Sequence, residues 1–280
     1  MDLTPAAPPI FLKPNYLRES AGVIFGTATP KITITSNAAL ADRLVDMDPN
    51  ATWNSTGSSD GNTQTILIPV YVGVTQTIKT DISCIALLNN NFRTFTVELS
   101  TDNGATYGTP YSVDNNTLVD YIIDTSASPV SANLVRIVAT NTFTSLGSVE
   151  KKLGAVVLSG LIYQMLSRPL FPISETPIEN VRVLVMADNS KNITYMKRSA
   201  ASYEFYTGSF KFGHMIETEI TAIRSLRRSY PAFIFYPEPG DKKGSMYYSM
   251  FSPGSFGRQM SNICKALGND LAFSIEEIGG

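Results

Sequence analysis

Short apolar runs, alternating or continuous and separated by polar turns, fill the N-terminal half of the chain. Residues Thr94–Ser100 alternate, which places Phe95, Val97 and Leu99 on one face of a strand. Residues Ile82–Leu88 are almost entirely apolar, as expected of a central strand. Because turn signals recur at short intervals between such runs, this half of the chain predicts a β-sandwich.

Three local signals refine this picture. The β-rich run Gln64–Val72 contains Pro69, which predicts an edge strand or a bulge. The segment Asn37–Met47 has apolar residues at helical spacing, and we expect a short helix with Asn37 as its N-cap. The pair Asn103–Gly104 is a strong hairpin signal, because both residues tolerate the positive φ of tight turns.

The C-terminal part has a different pattern, with aromatic strands and helical spacing. Ile216, Ile220, Ile223 and Leu226 form one face of an amphipathic helix. A second short helix is predicted over 256–268, ended by Gly268. The predicted strands lie in six runs: Val181–Ala187, Asn192–Arg198, Ser202–Phe212, Ala232–Gly240, Ser245–Phe251 and Leu271–Ile278. These elements predict an α+β domain with an antiparallel sheet.

Proline-rich stretches suggest where the domains begin and end. Residues 1–21 contain Pro5, Pro8, Pro9 and Pro14, which predicts an extended arm that is disordered or lies on a neighbouring subunit. Deleting residues 1–14 should then leave a folded protein that assembles poorly. Residues 22–166 form the predicted sandwich, residues 167–180 a linker with three prolines, and residues 181–280 an α+β assembly domain.

Composition and charge narrow the class of protein. Charged residues make up 16% of the chain, below the usual figure of about 25%. The net charge of −2 argues against a general nucleic-acid binder. We expect no membrane partner, because no apolar stretch is long enough to span a bilayer. Cys84 and Cys264 lie in apolar runs and are expected to be buried free thiols, with an interdomain disulfide as the alternative.

The sequence offers little for catalysis, so we expect a protein that is not an enzyme. Its one histidine, His214, lies at the predicted start of the helix without a nucleophile motif. Glu217 and Glu219 are two residues apart and therefore point to different sides of that helix. No cofactor or metal site is expected, although Asp46–Asn50 and Ser100–Gly104 could offer oxygens to Ca²⁺.

Six residues are candidates for interaction, each with a structural alternative. Trp53 is either a core anchor or an exposed contact residue. Asp102 and Asn103 either form a turn or belong to a binding loop. The three arginines Arg224, Arg227 and Arg228 lie near the end of the helix, where a solvated face or a subunit contact is favoured over a nucleic-acid patch.

Three stretches of the first half, taken in order, resemble the discoidin, or coagulation-factor C-type, branch of the galactose-binding-like sandwiches. They are Ala39–Gly57, Asp81–Tyr107 with its Ser-x-Asp-Gly-like turn, and Ser131–Asn141 followed by the apolar run to Met165. The sequence of Ile85–Phe92 is similar to that of versions of this domain in tailed-phage virion proteins. The resemblance implies a jelly-roll sandwich.

The resemblance leads to two main hypotheses of function. The first is a structural virion protein of a tailed phage, located in the virion, which builds the tail, the baseplate or a ring as a homo-oligomer with other phage structural proteins. The alternative is an adhesin module on the virion that binds glycan of the host surface. A weaker third hypothesis is an accessory subunit of a hydrolase.

Overall fold

The structure is a computed structural model. It describes residues 8–19, 32–45, 51–56, 62–70, 79–143, 150–166, 170–178, 181–185, 191–195, 205–237, 247–251, 257–259 and 269–277. These residues form a mainly β protein with antiparallel sheets, which confirms the predicted fold class. The chain divides into two compact units, the first made of residues 1–164 and 234–246 and the second of residues 165–233 and 247–279.

The strands are numbered in chain order. They are β1 (Ile10–Leu12), β2 (Thr33–Ile34), β3 (Trp53–Asn54), β4 (Gln64–Pro69), β5 (Thr80–Ile82), β6 (Cys84–Leu88), β7 (Phe92–Ser100), β8 (Tyr111–Val113), β9 (Tyr121–Asp124), β10 (Val130–Ala132), β11 (Leu134–Thr142), β12 (Lys152–Leu153), β13 (Ala155–Ser159), β14 (Leu161–Gln164), β15 (Leu170–Ile178), β16 (Val181–Val185), β17 (Lys191–Tyr195), β18 (Phe205–Met215), β19 (Phe233–Tyr236), β20 (Tyr247–Phe251), β21 (Gly257–Gln259) and β22 (Asn269–Glu277). The helices are α1 (Tyr16–Glu19), a 3₁₀ helix (Ala38–Leu44) and α2 (Glu217–Ser229). No helix among the described residues combines the length and the apolar character needed to span a membrane.

Two antiparallel sheets of the first unit enclose its core. One sheet has the order β2-β4-β11-β7-β8 and the other the order β13-β6-β9, with the pairs β5-β10 and β3-β12 beside them. Alternate residues of both sheets point into a shared apolar cluster, as the alternating sequence predicts. In β7 these are Phe95, Val97 and Leu99, all buried. The described part of the first unit is therefore a β-sandwich.

Two strand predictions are confirmed in detail. Strand β6 is central in its sheet, between β13 and β9, and Cys84, Ile85, Ala86 and Leu87 are all buried. Pro69 ends β4 opposite Leu134 of β11, past the two residues of β4 that pair with β2. Among the described residues, Pro69 therefore has no neighbour on the β2 side of β4, which is the edge position that a residue without an N–H tolerates.

The predicted arm over residues 1–21 is wrong for residues 10–19, which are part of the first unit. Strand β1 pairs with β14 on one side and with Ile234–Tyr236 of β19 on the other. All three side chains of β1 are buried, and the Phe11 ring lies 5.0 Å from that of Phe235. The short apolar triplet Ile10–Leu12 thus forms a buried, paired strand although the prolines around it indicate an extended arm. Residues 1–7 and 20–21 lie outside the described part.

Asn15 fixes the segment after β1. Its side-chain amide donates a hydrogen bond to the Val156 carbonyl at 2.9 Å, and its oxygen accepts from the Leu158 N–H at 3.0 Å. The same oxygen accepts from the Leu17 N–H at 3.2 Å. A buried asparagine thus joins α1 to β13, and deletion of residues 1–14 is now expected to destabilise the fold because it removes the buried strand β1.

The helix predicted over Asn37–Met47 is a 3₁₀ helix, and Asn37 occupies its N-cap position as predicted, but without a side-chain capping hydrogen bond. Asn37 adopts the left-handed conformation with φ 54°, and its side chain donates instead to the Asn54 carbonyl at 3.0 Å. Ala41 and Leu44 are buried, as the apolar stripe predicts. Residues 46–47 lie outside the described part.

The second unit has the predicted α+β character. Strands run in the order β20-β22-β18-β15, β21 pairs with β22, and β16 and β17 form a separate hairpin. Phe273 of β22 packs against Phe210, Phe212 and Phe251, with ring centroids 5.8, 5.5 and 5.4 Å apart. An aromatic core therefore holds the sheet together.

The predicted linker over residues 167–180 is wrong, because residues 170–178 form strand β15. This strand is the last of its sheet and pairs only with β18 among the described residues. Pro172 lies between Leu170 and Ser174, where the pairing is irregular. An edge strand with an irregularity accommodates proline, so proline content alone was a misleading sign of a linker.

Helix α2 is confirmed, with small differences. Ile220, Ile223 and Leu226 are buried, whereas Ile216 precedes the helix and is exposed. His214 lies in β18 rather than at the helix start. The prediction of a helix over 256–268 is wrong for Gly257–Gln259, which form strand β21. Residues 260–268 lie outside the described part.

Candidate functional site

The first half of the loop between β7 and β8 is closed by its own hydrogen bonds. Asp102 Oδ1 accepts from the Ser100 hydroxyl at 2.7 Å and from the Thr106 N–H at 2.8 Å, and Asp102 Oδ2 accepts from the Thr106 hydroxyl at 2.6 Å. These bonds, that from the Thr106 hydroxyl above all, lower the pKa of Asp102 from 3.8 to about 2. The carboxylate is therefore committed to holding the turn.

Asn103 and Gly104 make the tight turn that their sequence predicts. Both have positive φ, 60° and 90°. The Asn103 N–H donates to the buried Asn133 Oδ1 at 3.1 Å, which ties the turn to the start of β11. A Cβ on Gly104 would lie 2.9 Å from Leu134 Cδ2 and 3.0 Å from Tyr107 Oη, so the position requires glycine on steric grounds as well.

The second half of the same loop lines a groove on the first unit, here called the aromatic groove. Its volume is about 420 Å³. The lining side chains are two tyrosines, several hydroxyl residues and apolar residues, none of them charged: Leu99, Thr101, Thr106, Tyr107, Gly108, Thr109, Tyr111, Val130 and Ser131. One hairpin loop thus supplies both a closed turn and most of an open, uncharged groove.

Tyr107 is held in place from the sheet below it. The guanidinium carbon of Arg136 lies 3.6 Å from the centroid of the Tyr107 ring. Arg136 is itself paired with Glu98, directly opposite it on β7, and the hydrogen bond to Glu98 raises the pKa of Arg136. A cation–π contact with a fixed guanidinium keeps the tyrosine in one orientation.

The hydroxyl groups of the aromatic groove have capacity for a ligand. The Thr106 hydroxyl donates to Asp102 and the Ser131 hydroxyl donates to Asp81 Oδ1 at 2.6 Å. A hydroxyl that has given its only hydrogen still accepts, so both oxygens can accept from a ligand. The Thr101 and Thr109 hydroxyls make no hydrogen bond within the described residues, which leaves them able to donate or accept.

Tyr111 adds a phenol to the same groove. Partial burial raises the pKa of Tyr111, so its hydroxyl stays protonated.

A second concavity, here called the basic groove, adjoins the first, because Ser131 lines both. Its volume is about 380 Å³. Its lining is more polar and comes from several elements: Lys13, Tyr16, Lys79, Thr80, Asp81, Ser83, Pro129, Ser131, Gly160 and Leu161. The Tyr16 hydroxyl donates to the Asp81 carbonyl at 3.3 Å, and a Cβ on Gly160 would lie 2.1 Å from that hydroxyl. Glycine at 160 therefore lets Tyr16 form one wall.

The residues predicted from sequence to interact lie in different environments in the structure. Trp53 is fully buried and its Nε1 donates to the Ser36 carbonyl at 3.1 Å, so it is a core anchor and the alternative of an exposed contact is wrong. Asp102 and Asn103 lie in the turn, beside the aromatic groove but outside its lining.

The three arginines lie on α2 of the second unit and line neither groove. Arg224 is 3.9 Å from Glu217, both partly exposed, and Arg227 and Arg228 lie in the last helical turn, where positive charge complements the helix dipole. Glu219, in contrast to Glu217, is buried and accepts from the Leu166 N–H at 2.8 Å. The predicted divergence of the two glutamates is confirmed.

Sequence reasoning missed Tyr107, Tyr111, Arg136 and the basic groove. Arg136 had a signal, since it is an outward position of an alternating strand. Tyr107 had one, as the aromatic that soon follows the Ser-x-Asp-Gly-like turn of the resemblance, whereas Tyr111, in β8, had none.

Other candidate chemistry can be placed only in part. Within the described ranges, no group of three or more His, Cys, Asp and Glu side chains could hold a metal ion. Cys84 is a buried thiol outside any disulfide of the described residues, and burial raises its pKa, with the Asp124 charge adding to the effect. Cys264 and the Asp46–Asn50 stretch lie outside the described residues.

Comparison with known proteins gives only structural likenesses. No protein-family model and no curated protein matches the chain. Among solved structures, the family 32 carbohydrate-binding module of NanJ from C. perfringens, in complex with galactose, is similar at 16% identity and a TM-score of 0.37, over 46% of this chain and 93% of that module. Chitosan-binding module 2 of a chitosanase/glucanase from Paenibacillus sp. IK-5, in complex with chitotriose, is similar at 20% identity and a TM-score of 0.36, over 46% of this chain and 95% of that one. The module CpGH89CBM32-6 from Clostridium perfringens is similar at 22% identity and a TM-score of 0.35, over 48% and 92%.

Proposed function

We propose that the first unit is a carbohydrate-binding module, without catalytic activity of its own, and that the aromatic groove is its ligand site. The observation that carries the proposal is the described lining of this groove, where two tyrosines stand among hydroxyl side chains and none of the described side chains is charged. A sugar ring has an apolar C–H face and a rim of hydroxyl groups. Tyrosine rings match the face and hydroxyl side chains match the rim.

The size and the hydrogen-bonding capacity of the groove suit one or two sugar rings. A volume of about 420 Å³ lies in the lower part of the range for small-molecule sites, roughly 300–1,000 Å³. Thr106 and Ser131 offer acceptors, and Thr101, Thr109 and Tyr111 can also donate. A sugar hydroxyl both donates and accepts, so such a mixed set can satisfy it.

The groove is largely formed before a ligand arrives. Arg136 fixes the ring of Tyr107, and the hydrogen bonds of Asp102 fix the turn that precedes it. A site that is ordered in advance loses less side-chain entropy on binding, typically about 0.5–1.5 kcal/mol for each side chain that need not be immobilised. This favours useful affinity from a shallow groove.

A glycan array tests the proposal with the full-length chain and two variants of the first unit. We expect Tyr107→Ala to remove the signal and Lys152→Gln, at an exposed residue outside the groove, to retain it. Thermal unfolding of each variant controls for loss of fold. An array on which the folded native chain binds nothing, or on which Tyr107→Ala binds as well as the native chain, contradicts the proposal.

The second candidate is the subunit contact of a virion structural protein, as the sequence resemblance suggests. It draws on two exposed apolar residues of the second unit, Leu166 and Ile216, which are 68% and 51% exposed. Glu219 brings them together, because its carboxylate accepts from the Leu166 N–H and its own N–H donates to the Ile216 carbonyl at 3.1 Å. We propose that this pair, named here the apolar pair, contacts a second copy of the chain.

Light scattering on a dilution series tests this candidate. We expect an oligomer that Ile216→Asp weakens, while Val119→Asp, at an exposed apolar residue of the first unit, leaves it unchanged. A native chain that stays monomeric at every concentration contradicts self-association.

A further inference from the structure

The basic groove has the charge that the aromatic groove lacks. Among the described residues no charged side chain lines the aromatic groove, whereas Lys13, Lys79 and Asp81 line the basic groove. Two lysines and one aspartate give this concavity one net positive charge. The chain as a whole has a net charge of −2, so this concentration of positive charge is local.

Within the described part of the chain, both ammonium groups lack an acidic partner. Lys79 is exposed, and no described residue forms an ion pair with Lys79 or Lys13. The Lys13 ammonium lies 5.9 Å from the centroid of the Tyr16 ring. Asp81, the one acid among the described lining residues, accepts a hydrogen bond from the Ser131 hydroxyl instead. An anion that enters the groove therefore meets two lysines that form no ion pair with any described residue.

The two grooves adjoin at Ser131. This residue lines both, and its hydroxyl donates a hydrogen bond to the Asp81 carboxylate. A ligand longer than one sugar ring can thus lie in the aromatic groove and extend past Ser131 towards the lysines. The lysines can bind the same molecule only if it carries an acidic group one or two sugar rings away from the ring in the aromatic groove.

We infer that the two grooves form one site for an acidic oligosaccharide, with an uncharged ring face against Tyr107 and Tyr111 and a carboxylate or sulfate group at Lys13 and Lys79. The inference rests on the proposed carbohydrate-binding function and narrows its ligand class. The second oxygen of Asp81 accepts from a sugar hydroxyl beside the anionic group. Charge-assisted hydrogen bonds to ammonium groups are stronger than the neutral bonds of the aromatic groove.

Calorimetric titration of the full-length chain tests the inference with a uronic acid trisaccharide and its methyl ester, which share every atom of the sugar rings and differ in charge. At low salt we expect the acid to bind about tenfold more tightly than the ester, the effect of one charge-assisted hydrogen bond. The difference shrinks at high salt, because the lysines lie near the surface. A sulfated trisaccharide is the third probe, and tighter binding of it than of the uronate identifies sulfate as the preferred group.

Lysine variants assign the effect. In Lys13→Gln/Lys79→Gln, acid and ester are expected to bind equally, at the affinity that the ester has for the native chain. Lys152→Gln, which removes an exposed lysine of the same unit outside both grooves, should keep the preference. If the double variant melts early, Lys79→Gln alone replaces it and should reduce the preference, because Lys79 is exposed.

The outcomes separate this inference from the proposal beneath it. Equal binding of the three sugars by the native chain, with Tyr107→Ala still abolishing it, contradicts the acidic ligand and leaves carbohydrate binding in place. A preference that survives the lysine variants also contradicts the inference. Absence of binding to all three sugars, together with a silent glycan array, contradicts both.

Discussion

The two halves of the loop between β7 and β8 use similar polar residues in opposite ways. In the first half, both carboxylate oxygens of Asp102 accept hydrogen bonds from Ser100 and Thr106. In the second half, the Thr109 hydroxyl has no partner among the described residues and Tyr107 forms a wall of a groove. The loop is short, and yet one part belongs to the fold and the other is open to a ligand.

The difference shows that the residue type of a polar side chain does not reveal its role. The decisive property is how much of its hydrogen-bonding capacity the fold already uses. Trp53 and Asn15 are fully committed to the fold, Asp102 is committed at the surface, and Tyr107 is positioned but available. Substitutions along this series should therefore cost progressively less stability.

Trp53→Ala is expected to have the largest effect. The side chain is fully buried in the sandwich core and its Nε1 donates to Ser36. Removing a buried tryptophan side chain typically costs about 3–5 kcal/mol of unfolding free energy. Urea unfolding followed by circular dichroism measures it, with Trp53→Phe as the milder control. A loss below 1 kcal/mol would show that Trp53 does not anchor the core.

Asn15→Ala should come next. Its amide satisfies the buried Val156 carbonyl and the Leu158 N–H, which lose these partners in the variant. Leaving buried backbone groups unsatisfied costs about 1–3 kcal/mol. The same urea experiment measures the change, and Asn62→Ala, at an exposed asparagine, is the control. An unchanged midpoint for Asn15→Ala would indicate that the segment before α1 is dispensable.

Asp102 should make a smaller, pH-dependent contribution. Its pKa of about 2 in the folded chain lies below its ordinary value of 3.8, so the carboxylate stabilises the fold above pH 3.8, and this contribution is lost as the pH falls towards 2. Native chain and Asp102→Asn should therefore differ in unfolding midpoint at pH 5 and converge near pH 2. A difference that is constant between these pH values would contradict the role of the charge.

Tyr107→Ala should cost the least stability. Its main described contact is the cation–π interaction with Arg136, and at a partly exposed site such a contact is worth about 0.5–1 kcal/mol. Thermal unfolding measures the change. A larger loss of stability, comparable with that of Trp53→Ala, would show that Tyr107 stabilises the fold as a core residue does. It would contradict the division of the loop into a structural part and a ligand-binding part.

The sequence predicts what depends on local patterning. Alternation at Phe95, Val97 and Leu99 gives the buried face of β7, and Asn103–Gly104 gives the turn, because both are properties of neighbouring residues. The pattern fails where distant parts of the chain compete: prolines suggest an arm and a linker, but pairing of β1 with β14 and of β15 with β18 outweighs that local signal.

The candidate site is less predictable than the fold for the same reason. The aromatic groove combines Tyr107 with Val130 and Ser131, and the basic groove combines Lys13 with Lys79 and Gly160. These residues are distant in sequence, and nothing in their local context reports that they meet. The availability of a hydroxyl also depends on partners that only the folded structure identifies.

The most direct test is a crystal structure of the chain with the strongest ligand from the glycan array. We predict a sugar ring against Tyr107 and Tyr111, with hydrogen bonds to Thr106 or Ser131 and with the Asp102 turn unchanged. A sugar bound elsewhere, or one that takes Asp102 away from Thr106, would contradict the division of the loop into a closed turn and an open groove.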